Sequence, residues 1–257
     1  MTIYLEQAAR PTQALPMTDA EWQARVQLAA CYRIFDMLGW AEMIFNHITV
    51  RVPGEEVRFL INPFGLHYRE IKASNLLLID VEGNPLRPSP WPVNRAGFVI
   101  HSAIHAALAK AHCVMHTHTT SGMAVACLKE GLSPHNFYGA MLHGRVAYHE
   151  FEGISVEPGE KQRLVRDLGD KPAMILRNHG LLAWGPSVPE AFLMMWTLQR
   201  ACDVQVAASR AGEVHPIRAE VFPQTVRESG PGEKRTCEDV FAALQRNLDA
   251  IDLSYRE

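Results

Sequence analysis

The apolar positions of this chain recur with two periods, which predict helices that alternate with short strands. Apolar residues at helical spacing follow a capping-box sequence, Thr18-Asp-Ala-Glu21, and continue until Gly39, so the first helix is predicted there. Residues 43–52 and 57–61 alternate between apolar and polar side chains on either side of Pro53-Gly54. This alternation around a turn predicts a β-hairpin.

The second half of the chain continues the alternation of helix and strand. Its longest helical pattern begins at a second capping box, Ser187-Val-Pro-Glu190, and extends to about Arg210. The remaining predicted helices are 96–110, 121–129, 158–168 (begun by Pro158) and 236–251, the remaining strands are 76–80, 112–116, 145–149, 173–177 and 181–184, and the longer loops are 131–144 and 211–235. Together the elements predict one α/β domain in three layers.

The domain organisation follows from the same pattern. Residues 1–17 are predicted as an N-terminal arm, and residues 18–257 as a single domain whose C-terminal helical extension covers about 211–257. A chain of 257 residues is long enough to build a full core.

Composition narrows the class of partner. A formal net charge of -3 gives no basic surface for nucleic acid, and no apolar run approaches the roughly 20 residues that a membrane span needs. Five scattered cysteines, never in a Cys-x-x-Cys pair, indicate reduced thiols and a cytoplasmic location. A small-molecule substrate is therefore the expected partner.

The strongest chemical signal is the stretch Cys113-Val-Met-His116-Thr-His118-Thr119-Thr120. In an extended strand, residues i and i+2 face the same side, so His116 and His118 can meet one ion. A third imidazole, His179, lies at the end of another apolar run. Three imidazoles with an open position are typical of catalytic zinc or a similar first-row metal.

The order of these motifs resembles the class II aldolase/adducin family, with its adducin-like branch closest in local wording. The resemblance covers roughly residues 20 to 210 and is carried by the whole set of motifs rather than by any one of them. The motifs are Phe45-Asn-His-Ile-Thr-Val-Arg51, Phe59-Leu-Ile-Asn-Pro-Phe-Gly-Leu-His67, Asn94-Arg-Ala-Gly-Phe-Val-Ile-His101, His116-Thr-His118 and Asn178-His-Gly-Leu-Leu182.

The resemblance implies a fold, a metal and an assembly. The fold is a three-layer α/β/α arrangement with a central mixed, mainly antiparallel sheet. The family's sugar-phosphate aldolases bind zinc through the equivalents of His116, His118 and His179. A divalent metal is therefore expected here, with zinc first and iron, manganese or cobalt as alternatives. Sites in the family typically form between subunits of a tetramer, so a homotetramer is expected.

One departure from the family pattern changes the expected chemistry. Those aldolases carry an acid/base glutamate four residues before the position of His101, and this chain has Gly97 there. The sequence therefore argues against sugar-phosphate aldol chemistry. His101 and Tyr138 are the candidate proton-transfer residues, and the candidate substrate-binding residues are Asn46, His47, Arg51 and Thr119.

Three functions follow from the sequence. The first is a metal-dependent lyase, by aldol-type cleavage or decarboxylation, that acts on a small carbonyl compound or hydroxy- or oxo-acid through a metal-stabilised enolate. The second is a non-haem iron oxygenase that uses the same three histidines. The third is a non-catalytic binding module like adducin, whose members are cytoskeletal.

Overall fold

A seven-stranded sheet with helices on both faces organises the chain. A computed structural model describes residues 16–54, 56–153, 159–229 and 234–257. Within these residues the strands are β1 (Ile48–Arg51), β2 (Phe59–Ile61), β3 (Leu77–Ile79), β4 (Cys113–Thr117), β5 (Val146–His149), β6 (Ala173–Leu176) and β7 (Gly180–Gly185). The helices are α1 (Asp19–Met37), α2 (Arg95–Ala107), α3 (Thr120–Ala126), α4 (Phe137–Met141), α5 (Glu160–Leu168), α6 (Val188–Ala211), α7 (Phe222–Glu228) and α8 (Lys234–Asp249).

The sheet is mixed and mainly antiparallel, which confirms the predicted fold class. Its strand order is β3-β2-β1-β4-β7-β6-β5, and only β5 and β6 pair in parallel. The strand β4 is the central one, paired antiparallel with β1 on one side and with β7 on the other. The start of β1, the end of β4 and the start of β7 therefore lie side by side at one end of the strands.

Each face of the sheet has its own core. On one face, β4 residues such as Met115 pack with α1 and the long helix α6 in the largest apolar cluster. On the other face, Val114 packs with Ile104 of α2 and Leu164 of α5. Alternate residues of β4 thus point into different cores, because successive side chains of a strand face opposite sides.

Several predicted elements need correction. The loop predicted at 131–144 contains the helix α4, and the loop predicted at 211–235 contains α7. Both are helices of five to seven residues, too short for a periodic apolar pattern to stand out. The predicted arm, up to residue 15, and the predicted role of Pro158 lie outside the described residues.

The first capping box is also only half right. The hydroxyl of Thr18 accepts the Glu21 N–H as predicted. The Glu21 carboxylate instead turns inward and pairs with Arg25 and Arg87. A buried carboxylate needs charged partners more than a helix end needs a second cap, which explains the difference.

All five cysteines are free thiols, four of them buried. Within the described ranges, no helix combines the length and apolar character needed to cross a bilayer.

One tyrosine of α1 forms hydrogen bonds with the sheet beside the adjacent ends of β1, β4 and β7. The Tyr32 hydroxyl of α1 donates to the Ile48 carbonyl at 2.5 Å and accepts the Ile48 N–H at 2.8 Å. The N–H of Asn62 lies 3.2 Å from the same oxygen. The fully buried Tyr32 therefore fixes the start of β1 relative to the end of β2.

We predict that Tyr32→Phe lowers the free energy of unfolding by about 1–3 kcal/mol, because it leaves buried backbone groups without partners. Tyr68→Phe is the matched control. Tyr68 packs against Tyr32 with ring centroids 4.6 Å apart, is equally buried, and has a hydroxyl without a hydrogen-bond partner. Removal of the Tyr68 hydroxyl should change the free energy of unfolding, measured in urea, by less than about 0.5 kcal/mol. Equal losses of stability in the two variants would show that the hydrogen bonds of the Tyr32 hydroxyl do not stabilise the fold.

Candidate metal centre

Three histidines from separate parts of the chain meet at the end of β4. His116 is in β4, His118 follows the strand, and His179 lies in the turn between β6 and β7. One ligand nitrogen from each can be chosen so that all three lie within 4.8 Å of one another. The antiparallel register, which pairs Thr117 with Leu181, sets the turn that carries His179 beside the end of β4.

The turn that carries His179 depends on the residues on either side of it, Asn178 and Gly180. Asn178 has a φ of 56°, in the left-handed region that asparagine tolerates better than most residues. A Cβ on Gly180 would lie 2.3 Å from the Thr117 carbonyl oxygen and 3.1 Å from the ring of His118. Glycine is therefore required for β7 to approach β4 this closely, and the sequence Asn-His-Gly follows from that need.

The tautomer of His116 is fixed by the backbone. Its Nδ1 lies 2.8 Å from the carbonyl oxygen of Leu181, an acceptor, so Nδ1 carries the proton. In the neutral ring Nε2 then holds a free lone pair, and it lies 2.6 Å from Nε2 of His118. A carbonyl bound to the remote nitrogen is the usual arrangement that orients a metal-binding imidazole.

Burial keeps these imidazoles neutral. It lowers the pKa of His179 to about 4 and holds the pKa of His116 well below its ordinary value, with the neighbouring imidazoles adding to both effects. Burial also lowers the pKa of His118. Neutral imidazole is the form that binds metal, so the lone pairs are available at neutral pH.

A second polar group lies beside the three histidines, at the start of β1. The ring of His47 is 5.9 Å from that of His116 and 4.1 Å from that of His101. The side-chain amide of Asn46, both ring nitrogens of His47 and Nε2 of His101 are buried without hydrogen-bond partners. Buried polar atoms are rarely left unpaired, so this group is a candidate site for a polar ligand.

Gly97 and His47 are geometrically coupled. A Cβ on Gly97 would lie 2.4 Å from Cε1 and 2.5 Å from Nδ1 of His47. The imidazole therefore fills the space that any side chain at position 97 would need. Burial lowers the pKa of His47 to about 4, and the nearby backbone of Gly97 and Phe45 partly opposes this shift. Neither ring nitrogen of His47 makes a hydrogen bond of good geometry.

Two of the predicted substrate-binding residues already have partners. The Thr119 hydroxyl caps α3 by accepting the Gly122 N–H, and it donates to the side chain of Gln199 at 2.5 Å. The Arg51 guanidinium donates to the carbonyl of His105 at 2.7 Å and lies over the ring of Phe59. Substrate binding by Thr119 and Arg51 stays a prediction.

Tyr138 lies in α4, which the sequence did not predict. Its ring packs edge-on against Trp196 of α6 at 5.4 Å and lies beneath the Arg200 guanidinium. The described contacts place it with α6 of its own chain. Its predicted role in proton transfer stays a prediction.

Thr49 is the site residue that sequence reasoning missed. Its hydroxyl lies 2.8 Å from His101 and 2.8 Å from His105, both on α2. The available signal was the i, i+2 spacing of His47 and Thr49, which places both on one face of the strand predicted at 43–52. Nothing in the sequence said that α2 covers that face.

The donor set indicates what the centre can do. The residues that converge within the described part of the chain are three imidazoles without a carboxylate. Three nitrogen donors fit a divalent first-row ion and leave its positive charge unreduced. Such an ion favours an anionic substrate that offers two oxygens. Fold and site together define a mixed α/β protein with a candidate three-histidine metal centre.

Comparison with known proteins gives the family. The class II aldolase and adducin N-terminal domain pattern matches residues 26–206, most of the chain. The protein belongs to the class II aldolase/adducin family, which confirms the resemblance seen in the sequence.

Three similar proteins show the range of the family. A Pseudomonas aeruginosa protein provisionally named an aldolase class 2 protein is 50% identical over 244 residues, 93% of each chain. L-fuculose 1-phosphate aldolase from Glaciozyma antarctica has a structure that matches with a TM-score of 0.81 and 29% identity, over 95% of this chain and 98% of that one. Rat alpha-adducin is 39% identical over 263 residues, 96% of this chain but only 35% of adducin.

The contact between Gly97 and His47 predicts non-additive substitutions. Gly97→Ala should lower the free energy of unfolding by about 1–3 kcal/mol, because the new methyl group displaces the His47 ring. In a His47→Ala background the same change should be neutral or slightly stabilising, since alanine favours helix over glycine by about 1 kcal/mol. Urea unfolding of the two single variants and the double variant measures the coupling. Additive effects would contradict the contact.

The buried imidazoles predict a loss of stability on mild acidification of the metal-free protein. The pKa is lowered to about 4 for His47 and His179 and to about 3 for His105, chiefly by burial. In the unfolded chain these histidines become protonated near pH 6.5, whereas in the folded chain they stay neutral to lower pH. Their contribution to the free energy of unfolding is therefore fully present above pH 6.5 and falls as the pH drops toward 4.

Urea unfolding should show this loss as about 1 kcal/mol or more between about pH 7 and about pH 5. The carboxylates cannot supply it. Hydrogen bonds lower the pKa of Asp249 and of Asp252, so their contributions are lost only at lower pH. Constant stability between these two pH values would show that the folded protein accepts the protons.

Proposed function

We propose that this chain is a metal-dependent lyase that breaks a carbon–carbon bond, by aldol-type cleavage or decarboxylation. Its substrate is a small oxygenated carbonyl compound or a hydroxy- or oxo-acid. The observation that carries the proposal is the convergence of His116, His118 and His179, whose ligand nitrogens lie within 4.8 Å without a carboxylate among them. Family membership supports the same class of chemistry.

His116, His118 and His179 hold the divalent ion in this proposal, with zinc first and iron, manganese or cobalt as alternatives. The Leu181 carbonyl keeps the lone pair of His116 Nε2 available. When bound, the ion supplies positive charge that stabilises negative charge on a substrate oxygen.

Other side chains orient the substrate and move the proton. Asn46 and His47 bind substrate oxygens, because their polar atoms are buried beside the centre without partners. His101, with its free Nε2, is the first proton-transfer group. Tyr138 is the second, and we propose that its hydroxyl acts in the site of a neighbouring subunit.

The geometry at position 97 argues against sugar-phosphate aldol chemistry. An acid/base carboxylate at this position would need the space that the His47 ring occupies. The proposed proton transfer therefore relies on imidazole. This difference favours another substrate in the same metal-dependent class.

We also propose that the chain works as a homotetramer, as the family resemblance implies. Large apolar side chains are exposed near the site and near Tyr138, including Phe45, Phe137 and Phe151. Exposed apolar side chains are common at interfaces between subunits. Light scattering after size-exclusion chromatography measures the subunit number directly.

Metal content is the first test of the function. The protein prepared without chelators, oxygen or an affinity tag should contain about one divalent ion per chain. His179→Ala should lose most of it, whereas His215→Ala should keep it, because His215 is exposed and outside the centre. Stoichiometric iron would direct the next assays to oxygen consumption with hydroxy- and oxo-acids.

Exchange of substrate protons with D2O tests the lyase chemistry. A lyase that forms an enolate should exchange the protons beside the carbonyl group of its substrate, measured by NMR with hydroxypyruvate, pyruvate and dihydroxyacetone. Release of carbon dioxide from oxaloacetate, whose carboxylate beta to the oxo group leaves an enolate behind, tests decarboxylation. Protein that binds no metal after addition of Zn²⁺, Fe²⁺, Mn²⁺ or Co²⁺ would overturn the proposal.

A non-catalytic binding module is the second candidate. The observation that favours it is the 39% identity to alpha-adducin over nearly the whole chain. A module of this kind would keep its oligomeric state and lack both metal and exchange activity. Stoichiometric metal with exchange activity in the same preparation would exclude it.

A further inference from the structure

A chain of three buried hydrogen bonds connects the backbone to His101. Nδ1 of His105 lies 2.7 Å from the carbonyl oxygen of Ala111. Nε2 of His105 lies 2.8 Å from the Thr49 hydroxyl, which lies 2.8 Å from Nδ1 of His101. Thr49, His101 and His105 are all buried to 1% exposure or less. No water is needed to complete this chain.

The direction of every bond follows from its first acceptor. A carbonyl oxygen only accepts, so the proton of His105 is on Nδ1. Burial lowers the pKa of His105 to about 3, so its ring is neutral and Nε2 is an acceptor. The Thr49 hydroxyl must therefore donate to His105, and its oxygen accepts the Nδ1–H of His101.

The last atom of the chain is then determined. A neutral His101 with its proton on Nδ1 has a free lone pair on Nε2. That nitrogen is buried and has no hydrogen-bond partner. Its ring lies 4.1 Å from that of His47, which in turn lies 5.9 Å from that of His116.

We propose that Thr49 and His105 are positioning residues that hold His101 in a single tautomer, with the proton on Nδ1 and the lone pair of Nε2 facing the substrate site. Burial holds the pKa of His101 well below its ordinary value, so the ring is neutral, with Nε2 unprotonated, before substrate arrives. A substrate proton passes to Nε2, the electron pair stays on the substrate, and the resulting imidazolium still donates Nδ1–H to Thr49.

This inference rests on the proposed function only for the role of His101 in proton transfer. The tautomer itself follows from the hydrogen bonds and holds whatever the reaction. The fixed tautomer also narrows the substrate class. With Nε2 of His101 as the proton acceptor, the substrate must carry an acidic proton close to its metal-binding oxygen. A 2-hydroxy acid or a hydroxy-carbonyl compound meets that requirement.

Neutron diffraction from crystals of the deuterated protein, as purified, reads the tautomers directly. We expect deuterium on Nδ1 of His105, on the Thr49 hydroxyl pointing to His105, and on Nδ1 of His101. Nε2 of His101 should carry none. Deuterium on Nε2 of His101 would overturn the inference whether or not the protein proves to be a lyase.

Substitution of Thr49 tests the function of the chain. Thr49→Val keeps the side-chain shape and removes the hydroxyl, whereas Thr49→Ser restores it. We expect Thr49→Val to slow proton exchange on hydroxypyruvate by about ten- to hundredfold, by analogy with other residues that orient a reactive imidazole. Thr49→Ser should recover most of the lost rate, because it restores the hydroxyl.

The controls separate positioning from folding. Thr197→Val also removes a buried hydroxyl, one that bonds to the Leu193 carbonyl in α6, and should leave the exchange rate unchanged. Metal content and melting temperature are measured for every variant. Equal exchange rates for Thr49→Val and Thr49→Ser would overturn the positioning role. Absence of exchange in all proteins, with the expected neutron result, would overturn the proposed function and leave the tautomer assignment standing.

Discussion

The pairing of β4 with β1 and β7 is the constraint on which the candidate site depends. Two antiparallel registers, with Ile48 opposite Met115 and Thr117 opposite Leu181, set the ends of three strands side by side. A shift of one residue in either pair would turn a whole set of side chains to the other face of the sheet. The apolar residues of both faces prevent that shift, because each face of β4 packs into its own core. Hydrophobic packing thus positions the polar residues of the candidate site.

Desolvation then gives those polar residues their character. Imidazoles taken out of water lose the charged form, so the group around His116 is neutral where free histidine would be partly protonated. Neutral rings can bind a cation and can accept protons. The folding energy that this burial costs is offset by the cores above and below the sheet. A site built only from imidazoles also leaves a bound ion with its full charge, which favours an anionic substrate.

The departure from the aldolases of the family has a structural explanation at one position. Gly97 leaves a gap in the first turn of α2, and the ring of His47, the residue before β1, fills that gap. The two residues therefore form one unit. The His47 ring thus lies where the family resemblance leads one to expect a carboxylate. The similarity to rat alpha-adducin covers nearly the whole of this chain but only about a third of adducin itself.

The sequence alone determined the order of most elements, the fold class, the family and the three histidines of the candidate centre. These features depend on local regularities: His116 and His118 face the same side because a strand has a period of two, and Asn178 and Gly180 mark a tight turn. The sequence did not reveal α4 or α7, since helices of five to seven residues are stabilised by tertiary contacts rather than by their own pattern. Only the tertiary structure decided that Thr49 contacts His101 and His105, more than fifty residues away, and that His47 occupies the space beside Gly97. Hydrogen bonds and steric fit between distant residues depend on how helix and sheet pack together, and no local period of the sequence records that packing.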